Sequence, residues 1–357
     1  MTTQKPQIMA TGFALGILVI SLVVYILTVS AAIMVPFVMA VFVWYLINAL
    51  ARGIGTLRLK GRKFSPRACL FFSLLCFSGG LWLVFELIRG NAQQVIAAAP
   101  AYQRHFQAML PQVMALLGLD HIPTMSEVLQ HFDIADIIKR LAGLFTGIAG
   151  KTFEVLFFTG FLLYEQRFFN RKITNMVDDP ALEEKIRHII RNIDLKIQRY
   201  IWVKTFVSVL AGVSTFIILK TIQEDFAGFW ALMAFVLHFI PYVGAIAAIV
   251  LPSIVALVQF GDVGTFFLVA FSLGAALLTI GHILDPRLLG DTMNLSPIGI
   301  ILSLAMWGMI WGVPGMFLAI PILAIIVITL SQFESTRPIA VLLSKTGTID
   351  KAVRRRK

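Results

Sequence analysis

Charge is what this sequence has least of. Asp, Glu, Lys and Arg make up 14% of its 357 residues, against about 25% in a soluble domain. Apolar residues supply 58%, and the mean hydropathy is +0.86. The shortage is concentrated. No charged side chain occurs from Pro6 to Ala51, from Phe226 to Phe260, from Val263 to Leu284 or from Thr292 to Phe333. A helix crossing a bilayer core takes about 20 apolar residues, so each run holds one or two crossings. A soluble globular domain is excluded, and the expected class is an all-α, polytopic membrane protein.

Cysteine is also scarce. Cys69 and Cys76 lie seven apart in one apolar segment, which on a helix separates them by roughly 10 Å. A disulfide needs Cα atoms within about 7 Å, so both are read as small buried hydrophobes. Enzyme signatures are missing as well. Gly150-Lys151-Thr152 ends like a phosphate loop, but that pattern needs glycine where Phe145 stands, and no strand precedes it. Neither a His-Glu-x-x-His nor a Gly-x-Ser-x-Gly motif occurs, and the six histidines form no metal-ligand cluster. The chain is read as a non-enzyme with no cofactor and no metal, and any transport it performs as secondary or facilitated.

The net charge of +11 is placed as in a membrane protein. Basic residues gather at Arg52–Arg67, at Arg167–Arg199 and from Arg337 to the terminal Arg354-Arg355-Arg356-Lys357. Each group sits between or after apolar runs, the positive-inside arrangement that sets orientation. Nucleic acid is not an expected partner, since no groove-reading motif accompanies the charge; the lipid bilayer is. Both termini are expected in the cytoplasm. The first apolar run is too long for a signal peptide and lacks a small-residue cleavage site, so it is read as mature membrane helix.

Along the chain, residues 1–89 read as three crossings, about Ile8–Val29, Ala31–Ala51 and Arg67–Ile88, with the first break at Ser30 to Pro36. Residues 90–142 read as a small helical extracytoplasmic unit. Phe106, Met109, Leu110, Val113, Leu116 and Leu117 recur at helical spacing, and Thr124 with Glu127 forms a capping box. Residues 143–222 hold a fourth crossing ending near Tyr164, a cytoplasmic amphipathic helix over 180–199, and a fifth crossing over Tyr200–Leu219. The apolar stripe of 180–199 (Leu182, Ile186, Ile189, Ile190, Ile193 and Ile197) fits a helix packed under the bundle better than a coupling element. Residues 223–333 form the expected transport region, and 334–357 a basic cytoplasmic tail.

That region carries two interruptions, at His238-Phe239-Ile240-Pro241-Tyr242-Val243-Gly244 and at Trp307-Gly308-Met309-Ile310-Trp311-Gly312-Val313-Pro314-Gly315. Each run is too long for one helix and short for two. Each either turns back as a re-entrant hairpin or crosses once as a kinked helix, and the two topologies differ on the side occupied by Asp285–Pro297. Length favours the cytoplasmic side for that patch, because a kinked helix would overshoot the core. Broken backbone at membrane depth survives only against protein or a water-filled cavity. Paired Gly/Pro-interrupted segments point to a transporter's binding site. The expected substrate pathway is therefore His238, Pro241, Tyr242, Gly244, Trp307, Gly308, Trp311, Gly312, Pro314 and Gly315, against the plainer reading of kinks in packed helices. Polar residues in the lipid zone are candidates for gating or ion coupling: Lys151 with Glu154, His282, Asp285, Arg287 and Asn294. The plainer readings are interfacial charges for Lys151 and Glu154, packing for His238 and His282, and a local Asp285–Arg287 ion pair.

The C-terminal motifs also resemble a known family. His238 through Gly244, then Asp285-Pro286-Arg287-Leu288-Leu289-Gly290, then Leu295-Ser296-Pro297 look like the autoinducer-2 exporter family of bacterial permeases. So do Trp307-Gly308, Gly312-Val313-Pro314-Gly315-Met316, Ile320-Pro321 and Ile339-Ala340-Val341-Leu342-Leu343. The resemblance implies a bacterial inner-membrane protein with about eight membrane segments, both termini inside, assembled as a homo-oligomer and specifically a pentamer. It implies export of the quorum-sensing signal autoinducer-2 or, in other members, sodium or lithium/proton antiport. Three functions follow for testing: exporter of a small polar metabolite, cation/proton antiporter, and a non-transporting scaffold with 90–142 and the tail as docking surfaces.

Overall fold

A computed structural model describes residues 4–56, 58–59, 62–116, 134–290 and 293–348. The chain is an all-α polytopic membrane protein. Among the described residues, six helices are long and apolar enough to cross a membrane, and Leu18–Val29, Ala227–Leu237 and Pro297–Trp311 are shorter apolar helices. A two-residue antiparallel ladder, β1 (Arg58–Leu59) with β2 (Arg62–Lys63), closes the loop after the second helix.

Helix α1 (Gln4–Val29) gives way to α2 (Ala31–Thr56) at Ser30 alone. Pro36 lies inside α2, early enough that little of its ladder is lost. Helix α3 (Pro66–Leu116) is 51 residues long, about 77 Å at 1.5 Å per residue, and only Pro66–Leu87 is apolar enough to span. Residues 90–116 thus continue a membrane helix. Helix α4 (Ile134–Met176) begins within the expected 90–142 unit as well; the Thr124/Glu127 capping box and Leu117 lie outside the described residues. Helix α5 (Pro180–Ile222) is likewise one piece, so the amphipathic stretch 180–199 and the fifth crossing are a single helix.

The chain divides into two compact units. Unit one comprises Met1–Trp44, Glu154–Ile197 and Met293–Lys357. Here Trp44 Nε1 donates to Gln166 Oε1 at 2.8 Å, Phe37 meets Phe158 edge-on, and Phe42 meets Phe317. The α4–α5 connection is clasped: Arg187 Nε and Thr174 Oγ1 both donate to Glu183 Oε1, and Arg187 Nη2 donates to Asn170 O. The Arg187 guanidinium holds the Glu183 carboxyl below its usual range. Leu18, Ile20 and Tyr25 of α1 are exposed, as befits side chains meeting lipid. This unit ends with α10 (Pro297–Trp311), α11 (Val313–Leu330) and α12 (Arg337–Leu342).

Unit two comprises Tyr45–Phe153 and Gln198–Thr292. It contains α6 (Ala227–Leu237), α7 (Val243–Phe260), α8 (Val263–Thr279), a π turn (Ile280–Leu284) and α9 (Asp285–Leu289). Its core gathers Leu219, Phe229, Trp230, Met233, Val255, Ala256, Val258, Val269 and Leu273. A second cluster joins Val203, Val207, Ala211, Ala234, Ala248, Leu277 and Ile280. Arg199 Nη2 donates to Leu288 O at 3.2 Å, which ties α9 to the basic start of α5.

The chain reverses at both breaks. Across the first, Phe229, Trp230, Val255 and Val258 share one core cluster, and Ala234 and Ala248 share another. Across the second, Ser303 Oγ donates to Ala319 O at 3.0 Å. Both reversals depend on glycine for close approach. A Cβ on Gly244 would collide with the carbonyl oxygen of Leu237, and one on Gly315 with that of Trp307, far inside any van der Waals contact. Gly244→Ala and Gly315→Ala should therefore each cost at least about 2 kcal/mol and lower the detergent melting temperature. Gly274→Ala, where a Cβ meets nothing within 4 Å, should be neutral or stabilising by up to about 1 kcal/mol. Thermal unfolding followed by size-exclusion chromatography measures all three.

Candidate functional site

In unit two, the first break is a short irregular turn with a polar interior. Helix α6 stops because Pro241 lacks an N–H and restrains the residue before it. The freed backbone is satisfied locally: Val243 N–H donates to Pro241 O and Gly244 N–H to Ile240 O. Tyr242 is held at φ 61°, ψ −65°, a strained conformation for a residue with a side chain, and its ring is exposed. His238 turns inward. It is 6% exposed, its Cε1 lies 3.8 Å from where a Cβ on Gly281 would sit, and its Nε2 has no partner among the described residues.

Facing this turn, α8 runs into the π turn Ile280–Leu284 and then α9. An inserted π turn shifts the helix phase by one residue and is frequent at functional sites. Just past it, Asp285 is 9% exposed, and its Oδ2 accepts a hydrogen bond from Lys204 Nζ at 2.9 Å. Lys204, on α5, is 5% exposed, and Tyr200, one turn earlier, is 2% exposed. Asp285 Oδ1 and Tyr200 Oη have no partner among the described residues. Both members of the ion pair act electrostatically on His238, and Asp285 acts on Tyr200. Tyr200, Lys204, His238 and Asp285 thus form one buried polar cluster inside apolar helices.

This cluster corrects the expected Asp285–Arg287 pair. Residues two apart on a helix do not face each other; Asp285 turns to Lys204, and Arg287 is exposed. His282 is exposed, with Nδ1 3.2 Å from Leu278 O within its own helix. Lys204 and Tyr200 were absent from the candidates, although a lone lysine inside Tyr200–Leu219 is the signal that intramembrane charge offers.

The second break belongs to unit one and is built for packing. Gly312 takes φ 65°, ψ −141°, open only to glycine, and Val313-Pro314 start α11. Trp307 and Trp311 are buried with ring centroids 4.8 Å apart. Trp311 Nε1 donates to Leu27 O of α1 at 3.0 Å, while Trp307 Nε1 has no partner among the described residues. Gly308 faces Met316 closely. Asn294 clips the C-terminal segment: its Nδ2 donates to Thr348 O, and its Oδ1 accepts from Thr346 N and Oγ1. Lys151 and Glu154 both lie on α4, Lys151 exposed and Glu154 half-buried.

Comparison with known proteins places this architecture. The chain is 28% identical over 347 residues to the AI-2 transport protein TqsA of Escherichia coli K12, covering 95% of this chain and 98% of that protein. A Haemophilus influenzae protein named "Putative transport protein" is 27% identical over 339 residues, covering 92% and 95%. The E. coli K12 protein named "Putative transport protein YhhT" is 26% identical over 352 residues, covering 95% and 97%. The sequence model described as AI-2E family transporter matches residues 15–335, so the chain belongs to the AI-2E transporter family.

Proposed function

We propose that this chain is a secondary transporter of the bacterial inner membrane that moves a small polar solute, seated at Tyr200, Lys204, His238 and Asp285. The polar cluster carries this reading. Tyr200 Oη, His238 Nε2 and Asp285 Oδ1 have no partner among the described residues and lie in apolar surroundings, whereas buried polar atoms are nearly always hydrogen-bonded. A solute bearing hydroxyl or carbonyl groups supplies the missing partners. The Lys204–Asp285 pair neutralises itself, so a neutral molecule can enter without bringing a counter-ion. The strained Tyr242 backbone and the adjacent π turn give the site two elements with local alternatives. Without a phosphate-binding loop, a gradient drives the movement.

Similarity to TqsA supports autoinducer-2 as the solute, and the exporter resemblance supports outward movement. The basic groups at 52–67, 165–199 and the tail support cytoplasmic termini. A homo-oligomer is part of the same reading, supported by the family resemblance. One observation favours a second reading, sodium or lithium/proton exchange. Asp285 holds Lys204 with one oxygen, and the other has no partner among the described residues, so an incoming cation could compete with the lysine.

Removing either charge alone strands the other. Lys204→Met or Asp285→Leu should each cost about 3–5 kcal/mol, while the double substitution should recover most of that loss. Thermal unfolding measures it. The recovered double variant should have lost efflux of labelled autoinducer-2 from proteoliposomes; wild-type efflux would remove the site. In the same vesicles without solute, a sodium- or lithium-driven pH change abolished by Asp285→Asn would establish exchange instead. No pH change would exclude it.

A further inference from the structure

The turn from α5 to α6 carries a polar knot at the protein surface, with one buried carboxyl inside it. Four residues, Gln223 to Phe226, join the helices. Two of them, Gln223 at φ 61° and Phe226 at φ 57°, occupy the left-handed region without being glycine. Such backbone persists only where its surroundings over-determine it, and here α3, α5 and α7 do so. Asp225 Oδ2 accepts from the Tyr102 hydroxyl of α3 at 2.8 Å. The Asp225 N–H donates to Gln259 Oε1 of α7 at 2.8 Å, and Gln259 Nε2 donates to Gln223 O at 3.1 Å. The Tyr102 ring meets Phe226 edge-on. The knot therefore ties α3, the α5–α6 turn and the base of the first hairpin.

Glu224 sits inside it. The residue is 4% exposed, its N–H donates to Leu219 O, and neither carboxylate oxygen has a partner among the described residues. Its titratable neighbours are Asp225 in the same turn and Tyr102 from α3. Lys220, one turn back on α5, is exposed, and α7 presents the uncharged Gln259. A buried, unpaired carboxylate beside a second carboxylate is strongly disfavoured, whereas the neutral acid is tolerated. Burial first, then the Asp225 charge, pushes the Glu224 carboxyl up to about 8.

We infer that Glu224 is a proton-binding site that keeps this latch closed while occupied and releases it when the proton leaves. The sign follows from the direction of the shift. A carboxyl raised on folding contributes stability that is whole below the ordinary carboxylate range and lost as pH rises through its folded value. The latch therefore loosens between neutral and alkaline pH. It lies at the end of α5 opposite the basic segment, so under the orientation proposed above it senses the external side. Ionised Glu224 is stabilised by reaching water, and release of the turn from Tyr102 and Gln259 would let it do so. The inference does not depend on which solute is carried.

The test uses the full-length chain in lipid nanodiscs, with Cys69 and Cys76 replaced by serine and a spin label on Thr221→Cys, an exposed position beside the turn. Label mobility should rise reversibly with a midpoint near pH 8 and fall again on re-acidification. Glu224→Gln, which keeps shape and removes the charge, should stay immobile between about pH 6 and 10. Tyr102→Phe should be mobile even at neutral pH. A wild-type transition that survives Glu224→Gln overturns the proposal, as does the lack of any transition in that range. A Tyr102→Phe protein as immobile as the parent at neutral pH overturns the latch.

Discussion

Lipid offers no hydrogen bonds, so every backbone amide at membrane depth must find its partner inside the protein. The two breaks are shaped by that requirement. Each interrupts a helix with proline, which removes a donor as well as a bond, and closes within a few residues through local bonds such as Gly244 N–H to Ile240 O and Gly312 N–H to Gly308 O. Each then needs the returning helix to press against the outgoing one at backbone distance. Gly244 against Leu237 and Gly315 against Trp307 meet this need because neither carries a side chain. The glycines and prolines of the two motifs are thus first a solution to backbone satisfaction, and only then a place where function can be added.

What is added differs between the breaks. The second is closed over by tryptophan, its one bonded indole spent on the Leu27 carbonyl, and is apolar in character. The first holds polar atoms that have no partner among the described residues. Placing Lys204 and Asp285 among Leu277, Ile280 and Val207 costs several kcal/mol per ion in desolvation, which their mutual attraction only roughly offsets. A bundle selected for stability alone would do as well with two leucines. The pair therefore makes sense as a fixed dipole near which a polar molecule is less costly to hold than in the lipid around it. The π turn supports that arrangement, since the extra residue changes the direction in which Asp285 leaves the helix.

The sequence was legible where the signal is local. Uncharged runs coincide with most of the long apolar helices, and Pro/Gly clusters with both reversals. The apolar stretch ends near Ile88, close to the end of the span Pro66–Leu87, while the helix itself goes on. Ala97, Ala98 and Ala99 keep high helix propensity without hydrophobicity, so α3 runs on to Leu116. The amphipathic stretch 180–199 likewise runs on into Tyr200–Leu219 as one helix. Long-range pairing was not legible at all. Lys204 and Asp285 are 81 residues apart and Tyr102 and Asp225 are 123 apart, and a charge's nearest sequence neighbour, here Arg287, is a poor guide to its partner.

These distances also explain why kinship settles the architecture before the solute. Identity of 26–28% along nearly the whole chain accompanies an architecture whose helices, reversals and close glycine contacts depend on residue classes such as apolar, small and proline. At the site proposed above, four side chains drawn from α5, the α6–α7 turn and α9 face the solute, and a single exchange of hydroxyl, imidazole or carboxylate among them would alter which hydrogen bonds a ligand must complete. Discrimination by such bonds is steep, since a ligand lacking one group leaves a buried protein atom unpaired. On the proposed assignment, one scaffold would serve different solutes by changing Tyr200 or His238, provided the Lys204–Asp285 pair is kept or lost together.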